Sequence, residues 1–321
     1  MDKILITGST GLLGSALVHH LKEIGNLDNL ILLDSSTDLR NRSAVEQIFK
    51  STKPTFVYHL AAKVGGLGAN MSGNAVFFDD NIQINTNVLN AAAECQETKK
   101  VCSVLSTCIY PDKVALPILE NTLHNGEPHK SNFGYAYAKR MLDIYGKALN
   151  EKLGYVKFIT ATPNNMYGEN DNFSLLNGHV VPSVIHKIFL AKQNNLTEVE
   201  FWGNGTPLRQ FSYARDVARD LEFCMAHHKS QETVNVGNYE EYSIKSLVLL
   251  VQELMEYKGT IIWNTNKPNG QFKKTASTKL FESTYSEIHG KTPSYHNLNQ
   301  GLEKTISWFL TNYPNVRGSL K

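Results

Sequence analysis

The sequence predicts an α/β protein: a doubly wound parallel sheet followed by a smaller C-terminal α/β lobe. Three observations carry that expectation. Short, wholly apolar runs alternate with amphipathic stretches through the first half; the first run turns straight into three evenly spaced glycines; and 321 residues suffice for one large core and a second, smaller one. Strands apolar on both faces belong to a parallel sheet covered on both sides, because half-exposed antiparallel strands alternate polar and apolar residues.

The elements follow in order. "KILIT" (3–7) is the first strand, and "LLGSALVHHLKEIG" (12–25) has apolar positions at helical spacing and stops at Gly25. "LILL" (30–33), "FVYHL" (56–60), "VCSVLS" (101–106) and "KFITAT" (157–162) supply four more strands, and "DNIQINTNVLNAAAEC" (80–95) a helix before the fourth. After about residue 165 the pattern loosens into loops rich in Asn, Gly and Pro, over 164–182 and 201–211. Loops this long are functional or disordered, and their interleaved aromatics argue against disorder, so they are expected to form a substrate lobe. Helices over 244–257 and 298–313 close the chain.

Charge is nearly balanced, Lys+Arg 32 against Asp+Glu 30, with no block of like charge, which excludes a polyanion-binding tail; no nucleic-acid or membrane partner is expected. Cys95, Cys102, Cys108 and Cys224 show neither CxxC pairing nor zinc spacing, as in a reduced compartment. The opening apolar run is too short for a secretory leader and no later run approaches a membrane span, so a cytoplasmic location is expected and no metal site.

Gly8, Gly11 and Gly14 stand between the first strand and the first helix. Glycine there permits a tight turn, lets a pyrophosphate approach backbone N–H groups at the positive helix end, and allows close helix packing; the pattern points to dinucleotide binding. Asp34, at the end of the second strand, is placed to accept hydrogen bonds from an adenosine ribose and to repel a 2′-phosphate, which favours NAD. Ser35, Ser36, Arg40 and Arg42 follow closely and are donors for a phosphate, so the preference stays open.

Tyr135 and Lys139, four apart in "GYAYAKRM" (134–141), describe a solvated helix face as well as a site when taken alone. Ser106, however, ends the fourth strand at the carboxyl edge of the sheet, where such folds bind ligands. Glycine triplet, strand-end serine and YxxxK in this order resemble the extended short-chain dehydrogenase/reductase family, with its Rossmann-type sheet. The resemblance implies that Tyr135 donates or removes the proton at a carbinol oxygen, that Lys139 lowers the tyrosine pKa and holds the nicotinamide ribose, and that Ser106 hydrogen-bonds the carbonyl. Tyr137 lacks a matching lysine, since position 141 is Met.

A narrower resemblance rests on "AAKVGGLGAN" (61–70), "LSTCIYPDK" (105–113), "NFGYAYAKRM" (132–141), "DNF" with "NGHVVP" (171–182), "FWGNGTPLRQF" (201–211) and "NGQFKKTAS" (269–277). Together they resemble the GDP-L-fucose synthase family, 3,5-epimerase-4-reductases of GDP-4-keto-6-deoxy-D-mannose. That likeness implies proton-exchange roles for Cys108 and His179, which the residues alone would leave as a core thiol and a loop histidine. It implies substrate contacts at Lys187, Trp202 and Arg209, and cofactor contacts at Thr10, Leu12, Leu13, Asp38, Leu39 and Ala61, then Pro163, Asn165, Lys139 and His179. It further implies NADP(H) as cofactor and a homodimer through the helices of 74–94 and Tyr135. Two positions depart from the family: Thr10 replaces an arginine of bacterial relatives, and Asp34 stands where an NADPH enzyme prefers a neutral or basic residue. Lys187 also replaces an arginine, keeping the charge but losing the planar fork. Rival readings are a nucleotide-sugar 4-epimerase, a 4,6-dehydratase, which needs a carboxylate where Cys108 stands, and an inactive cofactor sensor. The expected division places 1–165 with about 212–240 in the NADP(H)-binding unit, and 166–211 with 241–321 in the substrate lobe.

Overall fold

The structure is a computed structural model that describes residues 2–25, 28–65, 67–267, 269 and 271–319, and only the backbone of 67–72. Gly66 and Gly270 of the quoted segments lie outside the described residues. The strands are β1 (Ile4–Thr7), β2 (Leu30–Leu33), β3 (Phe56–His59), β4 (Lys100–Val104), β5 (Phe158–Pro163), β6 (Asn165–Tyr167), β7 (Glu198–Trp202), β8 (Leu208–Tyr213), β9 (Val234–Val236), β10 (Glu241–Ser243) and β11 (Thr260–Asn264). The helices are α1 (Leu12–Glu23), α2 (Arg42–Thr52), α3 (Leu67–Glu94), α4 (Phe133–Leu153), α5 (Val180–Gln193), α6 (Ala214–His227), α7 (Ile244–Leu254), α8 (Lys279–His289) and α9 (Leu298–Asn312).

Six parallel strands form the main sheet in the order β2-β1-β3-β4-β5-β9. Successive residues of β1 point to opposite faces: Ile4 and Ile6 pack with α1 and α6, while Leu5 packs with α2, α3 and α4. Both faces are thus covered, as the apolar strands require. β2 differs: as the edge strand it is only half-buried. Chain order reverses between β1 and β3, so the crevice beyond their carboxyl ends is a topological switch point, the usual ligand position in such sheets.

The stretches expected as loops are mostly irregular, as turn and coil over 168–179 and 203–207, with short regular pieces at their ends. Residues 164–182 contain β6 and the start of α5, and 201–211 joins β7 to β8. β6 pairs with β8, and β7 with β11, partners too remote for a local pattern to reveal. A separate apolar cluster gathers α5, α7 and α9 around Phe201, Phe211 and Tyr213. α3 starts at Leu67 rather than near residue 80, with Gly73 outside helical geometry.

Two packing contacts aim α4 at the sheet edge. Gly134 lies so close to α3 that a Cβ there would sit 2.1 Å from the Asn74 carbonyl oxygen, and its N–H donates to Asn74 Oδ1 (2.9 Å). Asn85 Nδ2 donates to the Ala138 carbonyl (2.9 Å), and Asn85 Oδ1 lies 3.0 Å from His59 Nε2. His59 Nδ1 in turn meets Thr7 Oγ1 (2.9 Å), which accepts the Leu60 and Ala61 N–H groups. With two donors already on Thr7 Oγ1, its hydroxyl proton goes to Nδ1 and the imidazole carries its proton on Nε2. Burial first, then the Lys139 charge, holds this histidine neutral, with its pKa down at about 3.

Candidate active site

The glycine loop leaves β1 at Gly8, whose φ of 70° is a left-handed value that glycine tolerates. A Cβ on Gly14 would sit 2.0 Å from the Gly8 carbonyl oxygen, so α1 packs onto the loop only through glycine. No side chain caps the start of α1 at Gly11, which leaves its first N–H groups facing the crevice. This cradle fits a dinucleotide pyrophosphate. A groove of about 630 Å³ beyond it is lined by Gly8, Thr10, Gly11, Asp34, Asp38, Leu39 and Ala61, all residues singled out in the sequence.

Asp34 does not present a bare carboxylate there. It accepts the Ser36 N–H (2.9 Å) and Ser36 Oγ–H (2.6 Å), and these bonds hold it below the usual carboxylate range. Of the candidate phosphate donors, Ser35 and Arg40 line the groove, Ser36 is engaged by Asp34, and Arg42 pairs along α2 with Glu46 (2.6 Å). Arg40 is gripped by Asp38 (2.9 Å) and Asp80 (3.0 Å), and Lys63, on the same groove, by Asp80. Lys63 and Asp80 carry no sequence signature; only the fold brings them to the groove.

An adjoining cavity of about 280 Å³ opens at the carboxyl ends of β4 and β5. Ser106, Tyr135, Lys139 and His179 line it, with Leu12, Leu13, Pro163 and Asn165. Ser106 caps the short 3-10 turn Thr107–Ile109 in extended geometry, and Arg140 Nε donates to the Ile109 carbonyl, which ties that turn to α4. Tyr135 and Lys139 therefore face Ser106 across one gap. Lys139 is 2% exposed and its Nζ donates to the Val104 carbonyl (2.9 Å). Burial pushes the Lys139 ammonium down to about 8, against a smaller upward pull from Cys108. Burial also pushes the Tyr135 phenol up, the Cys108 charge acting the same way.

Cys108 sits in the 3-10 turn, half-buried, and is not among the residues lining the 280 Å³ cavity. It follows Ser106 by two residues, on the turn that Arg140 ties to α4. His179 precedes α5 with its side chain 55% exposed, and Nδ1 lies 3.9 Å from Asp171 Oδ1, an ion-pair rather than hydrogen-bond distance. The Asp171 carboxylate holds His179 above its usual pKa, against burial and the Arg317 charge. Asp171 is 3% exposed, lines the same cavity, and its Oδ2 has no partner. Asp171 stands in "DNF", eight residues ahead of His179, and that proximity is the only sequence signal for it.

Lys187, Trp202 and Arg209 lie apart from both cavities, on α5, β7 and β8. Trp202 is 63% exposed, with the Lys267 ammonium 5.5 Å from its ring centre. Lys187 lies over the Phe201 ring at 5.0 Å. Arg209 is half-buried and donates to the Leu208 and Gln271 carbonyls (2.7 and 2.8 Å). Lys274 has no hydrogen bond or ion pair among the described residues; burial pushes its pKa down, opposed by Cys108 and aided by Arg209. Nothing in the spacing of "NGQFKKTAS" distinguishes it from Lys273, which pairs with Glu241 (2.7 Å). Among the described residues no group of His, Cys, Asp and Glu fits a metal ion, the four cysteines are unpaired, and no helix is long and apolar enough to cross a membrane.

The family model described as the NAD dependent epimerase/dehydratase family matches residues 4–237. A GDP-L-fucose synthase from Dictyostelium discoideum is 41% identical over 318 residues, covering 98% of this chain and 97% of its own length. A probable GDP-L-fucose synthase from Drosophila melanogaster is 36% identical, covering 99% and 100%. Among solved structures, a GDP-L-fucose synthetase from Naegleria fowleri bound to NADP superposes with a TM-score of 0.90 at 38% identity, covering 98% of this chain and 96% of that one.

Proposed function

Because the chain belongs to the NAD dependent epimerase/dehydratase family and matches GDP-L-fucose synthases over nearly its whole length, we infer that it converts GDP-4-keto-6-deoxy-D-mannose to GDP-L-fucose with NADPH. The observation that carries this reading is one cavity, at the switch point of the sheet and beside the glycine loop, walled by Ser106, Tyr135, Lys139 and His179.

The chemistry divides among these residues. A 4-keto group acidifies the C–H bonds at C3 and C5, and Ser106 and Tyr135 donate hydrogen bonds to its oxygen as negative charge develops there. Cys108 and His179 remove a proton from one face of each carbon and return one to the other, which inverts both centres. The nicotinamide, when bound, supplies hydride to C4. Tyr135 gives its proton to the C4 oxygen, and Lys139 holds the ribose and supplies positive charge beside the phenol. Gly8, Gly11 and Gly14 admit the pyrophosphate to the α1 N–H groups, and Leu12, Leu13, Pro163 and Asn165 wall the nicotinamide end. Ser35, Arg40 and Lys63 line the groove as donors for a 2′-phosphate, and these donors support NADPH beside an ionised Asp34. In the substrate lobe, Trp202 offers a ring face to guanine, and Arg209 with Lys274 and Lys187 offers cations to the diphosphate. The division into an NADP(H)-binding unit of 1–165 with about 212–240 and a substrate lobe of the remaining residues belongs to this proposal. So does a homodimer through α3 and α4, supported by exposed Val76, Phe78, Phe133, Tyr137 and Ile144 on those helices.

Incubating the purified protein with GDP-4-keto-6-deoxy-D-mannose and NADPH is expected to yield GDP-L-fucose, identified by NMR; retention of the starting configuration at C3 and C5 would sink the epimerase half of the reading. Asp171 supplies a finer expectation. Asp171→Asn removes the carboxylate that holds His179 up, so the pH range in which the imidazole is protonated moves down. Titrating the His179 ring protons by NMR is expected to show a lower midpoint than in the parent, and the pH profile of C3/C5 proton exchange is expected to move with it.

A further inference from the structure

The 280 Å³ cavity and the 630 Å³ groove share four residues: Leu60, Ala62, Val64 and Arg317. These mark the waist between the nicotinamide and adenine ends, and Arg317 is the only charged residue of the four. Its guanidinium makes no hydrogen bond or ion pair among the described residues, and its charge reaches His179 on the inner side. Gly11, at the uncapped start of α1, lines the groove, and Leu12 and Leu13 line the cavity. An extended dinucleotide lying through both spaces must carry its pyrophosphate across this waist.

We propose that Arg317 binds the pyrophosphate of the bound dinucleotide, held over the waist by a strap formed from residues 316–318. This rests on the cofactor reading above and adds a ligand from the far end of the chain. The strap is anchored at each residue. Val316 is buried in the apolar cluster of α5, α7 and α9. The Arg317 carbonyl accepts the Phe173 N–H (2.8 Å). Gly318 takes φ 83°, and a Cβ there would sit 2.2 Å from Asn172 Oδ1, so the strap lies flat on the loop that carries Asp171. Backbone anchoring leaves the guanidinium free to point into the cleft. A planar fork of donors opposite helix N–H groups makes a two-sided clamp for two phosphate charges. The clamp closes on the same loop that presents His179, so a bound cofactor and the proton-exchange site share one support.

Affinity is measured by fluorescence titration of the full chain with NADPH and with NADH, for the parent, Arg317→Gln and Arg317→Lys. The expected result is a rise in Kd of about tenfold for Arg317→Gln with both nucleotides, the scale of one charge-assisted hydrogen bond, with Arg317→Lys in between and an unchanged Tm. Parent affinity in Arg317→Gln overturns the proposal. A loss confined to NADPH also overturns it, because the guanidinium would then lie on the 2′-phosphate, which NADH lacks. A loss that tracks a fall in Tm overturns it in favour of a structural strap. If the parent binds neither nucleotide, the cofactor reading fails instead, and this proposal with it.

Discussion

Tyr135→Phe is expected to lower the rate of NADPH-dependent reduction about 10³-fold, within the range that general acid catalysis contributes, while NADPH affinity stays at the parent value. The exchange keeps the ring and removes only the transferable proton. Burial holds that phenol protonated throughout the neutral range, which suits a group that must deliver a proton to the C4 oxygen as hydride arrives. The charge that assists it sits one helical turn away on Lys139, whose Nζ is fixed by the Val104 carbonyl. With the Lys139 pKa at about 8, the ammonium is present below that value and lost above it, so the reduction rate is expected to fall as pH rises through about 8. NADPH oxidation followed between pH 6 and pH 10 reads both effects. Parent-like turnover in Tyr135→Phe would mean that another group protonates the sugar oxygen.

Cys108→Ser is expected to slow epimerisation by about 10²-fold or more, because a hydroxyl is a far poorer proton-exchange group than a thiol near neutral pH. The clean measurement is NMR of solvent deuterium entering C3 and C5 of the keto-sugar, with reduction monitored separately. The structure makes this the sharper of the two tests. Cys108 is half-buried on the Ser106 turn and does not line the central cavity. Deuterium entering both carbons of the Cys108→Ser reaction at the parent rate would reduce Cys108 to a packing residue of the turn and leave His179 without its partner.

The two cases show where the chain speaks for itself. Five apolar runs, a glycine triplet behind the first of them, a serine at the end of the fourth and a Tyr/Lys pair one helical turn apart are all local patterns. Strand register and helical periodicity turn each directly into a position at the sheet edge. Ser106, Tyr135 and Lys139 therefore line one cavity, and Gly8 is required by its left-handed φ and Gly14 by its close approach to the Gly8 carbonyl. The loops of 164–182 and 201–211 stay irregular over 168–179 and 203–207, while the short strands β6 and β7 at their ends escape a local reading because their partners β8 and β11 lie far along the chain. Asp34 stays an ionised carboxylate beside the groove, with Ser36 donating to one of its oxygens only.

The fold class, the dinucleotide loop and the Ser106, Tyr135 and Lys139 edge are legible along the chain, since backbone geometry repeats every two or 3.6 residues and writes these features into neighbouring positions. Folding adds neighbours that no local pattern shows: Asp171 beside His179, and Arg317 on the wall shared by cavity and groove. A buried carboxylate facing a histidine, or a cation in a cleft, is defined by what surrounds it. Those surroundings come from remote segments that meet only when the cores close.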